Sequence, residues 1–306
     1  MTKTNESWLG IIYGSLAALI WAAFPVMTRF GVSKSNLDPF EITFIRFFVS
    51  GILVIPYLLM NKNMKTPIKG LLMITVGLGV PYMLIISFGL KYAPVEQFSI
   101  MTPACMILFS LLLSTMILKI KSHKNESLGI ITIMIGVLFS VYSTFNSSYI
   151  FSHFLFIIGG FLWATYTIAS RYYFNSAMYA TALVCFFSMI LYTPFYLYIK
   201  GIEIFSNPLS TLIPQIIYQG FFVSIIALFF YSKSVILLGS TTGSVFAALV
   251  PILSTLISAV ILKETISLTS ISGLFIITIG ILITIFKASQ WKNIFQLFKD
   301  KKINRL

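Results

Sequence analysis

Leu19-Ile20-Trp21-Ala22, with Arg29 eight residues after the tryptophan, recurs as Phe161-Leu162-Trp163-Ala164 with Arg171 eight residues on. The two tryptophans stand 142 residues apart. A second echo follows at nearly the same offset. Gly129 and Gly136 return 144 residues later as Gly273 and Gly280, each pair inside an isoleucine-rich run. The chain is therefore read as two related halves. In a membrane protein, such repeats build a site at their interface that can open to either side.

The membrane assignment follows from composition. Hydrophobic residues make up 58% of the chain and charged residues 9%, where a soluble domain carries about 25% charge. About 20 mostly apolar residues span a bilayer. Ten stretches qualify: 8–30, 39–60, 68–90, 93–118, 127–145, 150–170, 177–199, 209–232, 239–262 and 266–286. Lipid-exposed open sheet is excluded, so the spans are helices. The N-terminal apolar stretch is too long for a signal-peptide core and is kept as the first helix. The expected fold is all-α and integral to the membrane, with ten transmembrane helices. Residues 1–145 form one five-helix repeat, 146–287 the second, and 288–306 a cytosolic tail. Five spans are an odd number, so the second half enters the membrane opposite to the first, as an inverted-topology repeat.

The net charge of +13 is a topology signal before it is anything else. With the N-terminus in the cytosol, fifteen lysines and arginines fall on the cytosolic side. Five fall outside (Arg29, Lys34, Lys91, Lys200, Lys263), and Arg46 lies within a span. That is a positive-inside bias with both termini cytosolic, in a bacterial inner membrane. No basic patch comes with a nucleic-acid-binding fold. In the tail, Trp291, Ile294, Phe295 and Phe298 recur at helical spacing among lysines, the pattern of an interfacial helix on an anionic leaflet. Cys105 and Cys185 fall inside spans as small apolar fillers.

Several runs then carry a resemblance. Tyr231-Ser232-Lys233-Ser234 through Leu238-Gly239-Ser240, then Ala247-Ala248-Leu249-Val250-Pro251, then Leu262-Lys263-Glu264 resemble the second half of the EamA family, within the drug/metabolite transporter superfamily. Phe88-Gly89-Leu90-Lys91-Tyr92-Ala93 with Pro103, and Pro39-Phe40-Glu41 through Arg46-Phe47, are similar to its first half. The resemblance runs from Trp8 to Phe286. It departs at one point: where the second half closes on Glu264, the first has Lys119-Ile120. A symmetric role for that glutamate is therefore not expected.

The candidate solute-binding residues follow from the duplication. Trp21, Phe24 and Thr28 share one face of the first helix. Trp163 and Thr167, with Tyr166 adjacent, form the matching face of the sixth. Aromatic rings away from the interfaces stack on a solute or on each other. Tyr82, Gln97, Gln219 and Tyr231 complete the set; an amide at mid-depth must find a partner in a solute or another helix. Arg46 can bind an anionic solute group. It can equally satisfy helix-end carbonyls or pair with Glu41 or Asp38, and its place in the family pattern across varied substrates favours the structural role. Glu96 is either a proton-coupling carboxylate or an interfacial partner of Lys91. His153 reads as interfacial and His123 as a loop residue. Pro81, Pro103 and Pro251 interrupt the third, fourth and ninth helices, as hinges or static kinks.

No P-loop, H-E-x-x-H or G-x-S-x-G pattern occurs. The sequence thus points to a carrier, with no cofactor and no metal, rather than to an enzyme. The expected function is alternating-access transport of a small organic solute, most simply export of amino acids or related metabolites. Import or exchange of a nucleotide derivative or vitamin, and multidrug efflux, are the alternatives. The partners expected are the solute and the bilayer, and no nucleic acid.

Overall fold

The structure is a computed structural model and describes residues 3–35, 37–117, 124–144, 149–238 and 240–285. The amphipathic tail and His123 lie outside these residues. The described chain is helical, with no strand among the described residues. In order it forms α1 (Lys3–Lys34), α2 (Pro39–Met60), α3 (Ile68–Leu78), α4 (Val80–Tyr92), α5 (Val95–Ile117), α6 (Lys124–Thr144), α7 (Ile150–Tyr173) and α8 (Ala177–Lys200). A short 3-10 turn (Glu203–Ser206) leads to α9 (Leu209–Gln215), a π-helical segment (Ile216–Ile226), α10 (Ala227–Leu238), α11 (Ser240–Ile261) and α12 (Leu268–Ile285). Seven helical stretches among the described residues are long and apolar enough to cross a membrane. Three shorter apolar helices, Ser127–Ser140, Phe246–Ile261 and Leu268–Thr284, stand at the other expected spans. Apolar side chains such as Leu128, Ile131, Ile135 and Leu138 face outward from α6, a surface that suits hydrocarbon and not water.

Local chemistry sets the helix ends. Asp38 caps α2: its carboxylate accepts from the Glu41 amide at 2.8 Å, while the Glu41 carboxylate accepts from the Asp38 amide at 2.7 Å. This reciprocal box satisfies two donors that the first turn leaves open. Ser176 caps α8 through the Tyr179 amide. The third span breaks at Gly79, and Pro81 stands in the first turn of α4, where its missing N–H costs nothing. A Cβ at Gly79 would lie 2.1 Å from the Thr75 carbonyl oxygen, so the break requires glycine. Pro103 and Pro251 do not interrupt their helices; α5 and α11 run through them. Each proline removes a single donor, and the surrounding turns keep the other bonds that a bilayer-buried backbone needs.

Helices from the two halves interleave. α6 packs on α12, α2 on α8, and α5 on α11; α1 packs on α10 and α11, and α7 on α3, α4 and α5. The three like-with-like pairs run antiparallel. Gly129 meets Gly280 and Gly136 meets Gly273. Phe44 stacks on Tyr196 at 4.2 Å while Gly51, further along α2, abuts Met189, further back along α8. Ser99 bonds Ser254 at 2.6 Å, and the Val95 amide bonds Glu264. Small residues permit these close approaches. A Cβ on Gly136 would sit 2.9 Å from the Gly273 carbonyl oxygen, and one on Gly280 2.8 Å from that of Gly129.

Candidate functional site

The interior polar cluster is assembled from five elements. Arg46 on α2 donates from a terminal guanidinium nitrogen to Gln219 Oε1 at 3.2 Å. Gln219, in the π-helical segment, donates through Nε2 to Thr28 Oγ1 at 3.0 Å, and the Thr28 hydroxyl donates to the Phe24 carbonyl at 2.9 Å. Gln219 and Thr28 are fully buried, and Arg46 is half-buried. The Phe24 ring centre lies 4.9 Å from the guanidinium carbon and that of Phe47 5.9 Å, within cation–π range. Tyr82 and Cys185 are close enough to interact with the charge. One turn beyond Cys185 on α8, the Ser188 hydroxyl is buried with no partner among the described residues, beside the Gly79 break.

The expected pairing of Arg46 with Glu41 or Asp38 does not occur. Asp38 takes Lys200 at 2.7 Å, and Glu41 takes Asn207 at 3.0 Å besides its own cap. Arg46 sits about two turns further along α2, beyond their reach. Among the described residues it has no carboxylate partner.

Two aromatic pairs join the halves. Trp163 approaches Tyr82 edge-on at 6.3 Å, and Trp21 packs on Tyr231 at 5.0 Å. In each pair a tryptophan from the first helix of one half meets a tyrosine from the third span of the other. Thr167 bonds back to the Trp163 carbonyl, and the Tyr166 hydroxyl meets Thr181 at 2.8 Å. A cavity of about 460 Å³ lies beyond Arg171, lined by Asn63, Lys65, Tyr173, Phe174 and Tyr179 among others, and a smaller one of about 60 Å³ lies between α2, α8 and the π-helical segment. Neither tryptophan lines either cavity.

Gln97 and Glu96 stand elsewhere, toward the Arg29 end. Glu96 is buried and accepts from the Ser270 hydroxyl, not from Lys91, whose ammonium lies by the Tyr92 ring. His153 is buried within the protein, with Nε2 2.9 Å from Gln97 Oε1; α7 packs this turn against α5. Beside them Arg29 donates from Nε to Glu264 Oε1 at 3.1 Å and from a terminal nitrogen to the Leu90 and Lys91 carbonyls. Glu264 Oε2 takes the Val95 amide at 3.0 Å. Arg29 and Glu264 thereby tie the end of α1 to the α4–α5 and α11–α12 junctions. Arg171, the equivalent of Arg29, is exposed and makes no ion pair among the described residues.

Sequence reasoning singled out Arg29 and Glu264 separately but not their union, and it missed Gln215. That amide is buried and donates to the Met27 carbonyl at 2.8 Å. Gln215 and Gln219 stand four apart in an apolar stretch, which puts them one above the other on a helix; that spacing was the available signal. Among the described residues no three His, Cys, Asp or Glu side chains converge as a metal site.

The family model described as the EamA-like transporter family matches twice, over residues 8–142 and 150–286. The chain belongs to the EamA-like transporter family. An uncharacterized transporter of Archaeoglobus fulgidus is 25% identical over 289 residues, covering 90% of this chain and 97% of that protein. The uncharacterized transporter YrdR of Bacillus subtilis is 26% identical over 325 residues, 98% and 96% of the two chains. A solved crystal structure aligns with a TM-score of 0.59 at 18% identity, covering 92% of this chain and 98% of that one, a likeness of fold. The protein is a multi-pass membrane transporter of this family.

Proposed function

We propose that this transporter is a secondary carrier that exports amino acids or related small metabolites by alternating access. In this reading ten spans form two five-helix repeats of inverted topology in an inner membrane, with both termini cytosolic. Equivalent helices of an inverted repeat must run antiparallel. The pairs α2–α8, α5–α11 and α6–α12 do so, which supports it.

The observation that carries the solute reading is the duplicated Trp–Tyr contact between the halves. Each ring pair joins the two halves, so relative motion of the halves changes both at once. Trp21, Trp163, Tyr82, Tyr166 and Tyr231 supply apolar walls, and Phe24, Thr28 and Thr167 supply further contacts. Pro81, at the break in the third span, is the hinge position, and Glu96 is the candidate proton-coupling group.

The test compares extracellular metabolites from cells producing the wild type and the Trp21→Ala/Trp163→Ala double variant at equal membrane abundance. A solute enriched outside wild-type cells alone is the expected result. Equal efflux from both would remove the tryptophans from the site, and no efflux from either would remove export.

A further inference from the structure

We propose that Arg46 is the docking point for a carboxylate of the transported solute, and that Gln219 holds that place in the empty carrier. The inference rests on the carrier reading above and deepens it.

A guanidinium inside a membrane-spanning helix is costly, by at least about 2.5–3.5 kcal/mol at the centre, and structures keep such groups by pairing them. Arg46 is not paired with an acid. The two nearest carboxylates on its own element and cap, Glu41 and Asp38, are occupied by Asn207 and Lys200. Glu264 is bound to Arg29, and Glu96 to Ser270. Of the five N–H donors on a guanidinium, one is engaged among the described residues, by a neutral amide oxygen. That bond is 3.2 Å long, where a guanidinium–carboxylate bond runs about 2.7–2.9 Å and is roughly twice as strong as a neutral one. A carboxylate arriving here would therefore outcompete the Gln219 amide.

Gln219 is placed so that it can yield. It lies in the π-helical segment Ile216–Ile226, and wide turns of this kind recur at functional sites. Returning such a turn to α-helical register would rotate Gln219 about the helix axis without breaking the span. The next residue is Gly220, where a Cβ would strike Val49 Cγ1 at 2.3 Å. The segment thus lies directly against α2, three residues from Arg46. Around the charge stand the aromatic rings of Phe24, Phe47 and Tyr82, with Trp163 behind Tyr82. No acid among the described residues stands ready at Arg46 to receive a cation. The class that fits is an organic carboxylate with a compact apolar or aromatic body.

The test is ligand-induced stabilisation of the purified full chain in detergent. The probes are phenylalanine, leucine and 3-phenylpropionate, each matched with its carboxamide. The carboxylates should raise the unfolding midpoint by about 2 °C or more at saturation, as binding to the folded state requires, and the carboxamides should not. Arg46→Gln should abolish the shift. Gln219→Ala should keep it and tighten binding about threefold or more, because the competing amide is gone. Gln219→Glu should raise the midpoint of the ligand-free protein and abolish the response, because a tethered carboxylate now fills the place; that gain also shows that the variant folds. Carboxamides acting as well as carboxylates, a Gln219→Glu protein that still responds, or no response to any carboxylate would each overturn the assignment. Efflux that persists in Arg46→Gln cells would also overturn it and leave the carrier reading standing. Intact carboxylate shifts with no efflux from wild-type cells would do the reverse.

Discussion

The two glycine helices meet as equals, and the two arginine ends do not. At the α6–α12 seam, Gly129 and Gly136 meet Gly280 and Gly273 in reverse order, and each would carry its Cβ into the partner's backbone. The duplicated residues do the same work in both halves. Arg29 and Arg171 are duplicated just as plainly, yet Arg29 is locked by Glu264 and two carbonyls while Arg171 is exposed. Duplication supplied a scaffold whose packing is symmetric. A single acid, Glu264 in the second half where the first has Lys119-Ile120, makes its ends unequal. The Arg29 end is the tied one.

The largest expected effect comes from cutting that tie. Glu264→Gln leaves Arg29 without its partly buried acid and should cost about 3 kcal/mol. It should also open the Arg29 end. With Cys105 and Cys185 replaced by serine, a cysteine introduced at the buried Ala93 should then react with a membrane-impermeant maleimide at least about tenfold faster. Unchanged labelling would mean that the tie does not close this end.

The seam comes next. Gly136→Ala and Gly280→Ala should each destabilise by about 2 kcal/mol, because backbone must move to admit the methyl group. Their equality is the sharper claim. Thermal unfolding in detergent should show midpoint losses that agree closely, and a large difference would break the symmetry of the seam. A smaller loss, about 1 kcal/mol, is expected for Asp38→Ala, which removes one half of the α2 capping box. Arg171→Ala should change the midpoint least, by under about 0.5 kcal/mol, since no ion pair is lost. A loss matching that of Glu264→Gln would abolish the contrast between the ends.

The sequence reading of this chain succeeded where one residue type at one spacing decides the outcome. Apolar runs marked the helices. Pro81 marked the broken third span, because proline starts a helix well. The same reasoning failed at Pro103 and Pro251, because a missing donor inside a helix can be tolerated when its neighbours keep their bonds. It failed at Glu96 too. Lys91 is nearest in sequence, but the start of α12 brings Ser270 closer. Gln219 was visible as a costly amide, while its partner, 173 residues away, was not.

What the sequence determined by itself is the solvent, the element type, the duplication and the family resemblance. Those depend on composition, local periodicity and repeated motifs, all of which lie along the chain. Only the tertiary structure decided that Arg29 meets Glu264, that Arg46 meets an amide and not an acid, and that the two glycine pairs face one another. Such contacts join residues more than a hundred positions apart. Their selection depends on which helix faces close-pack together, and no local spacing carries that information.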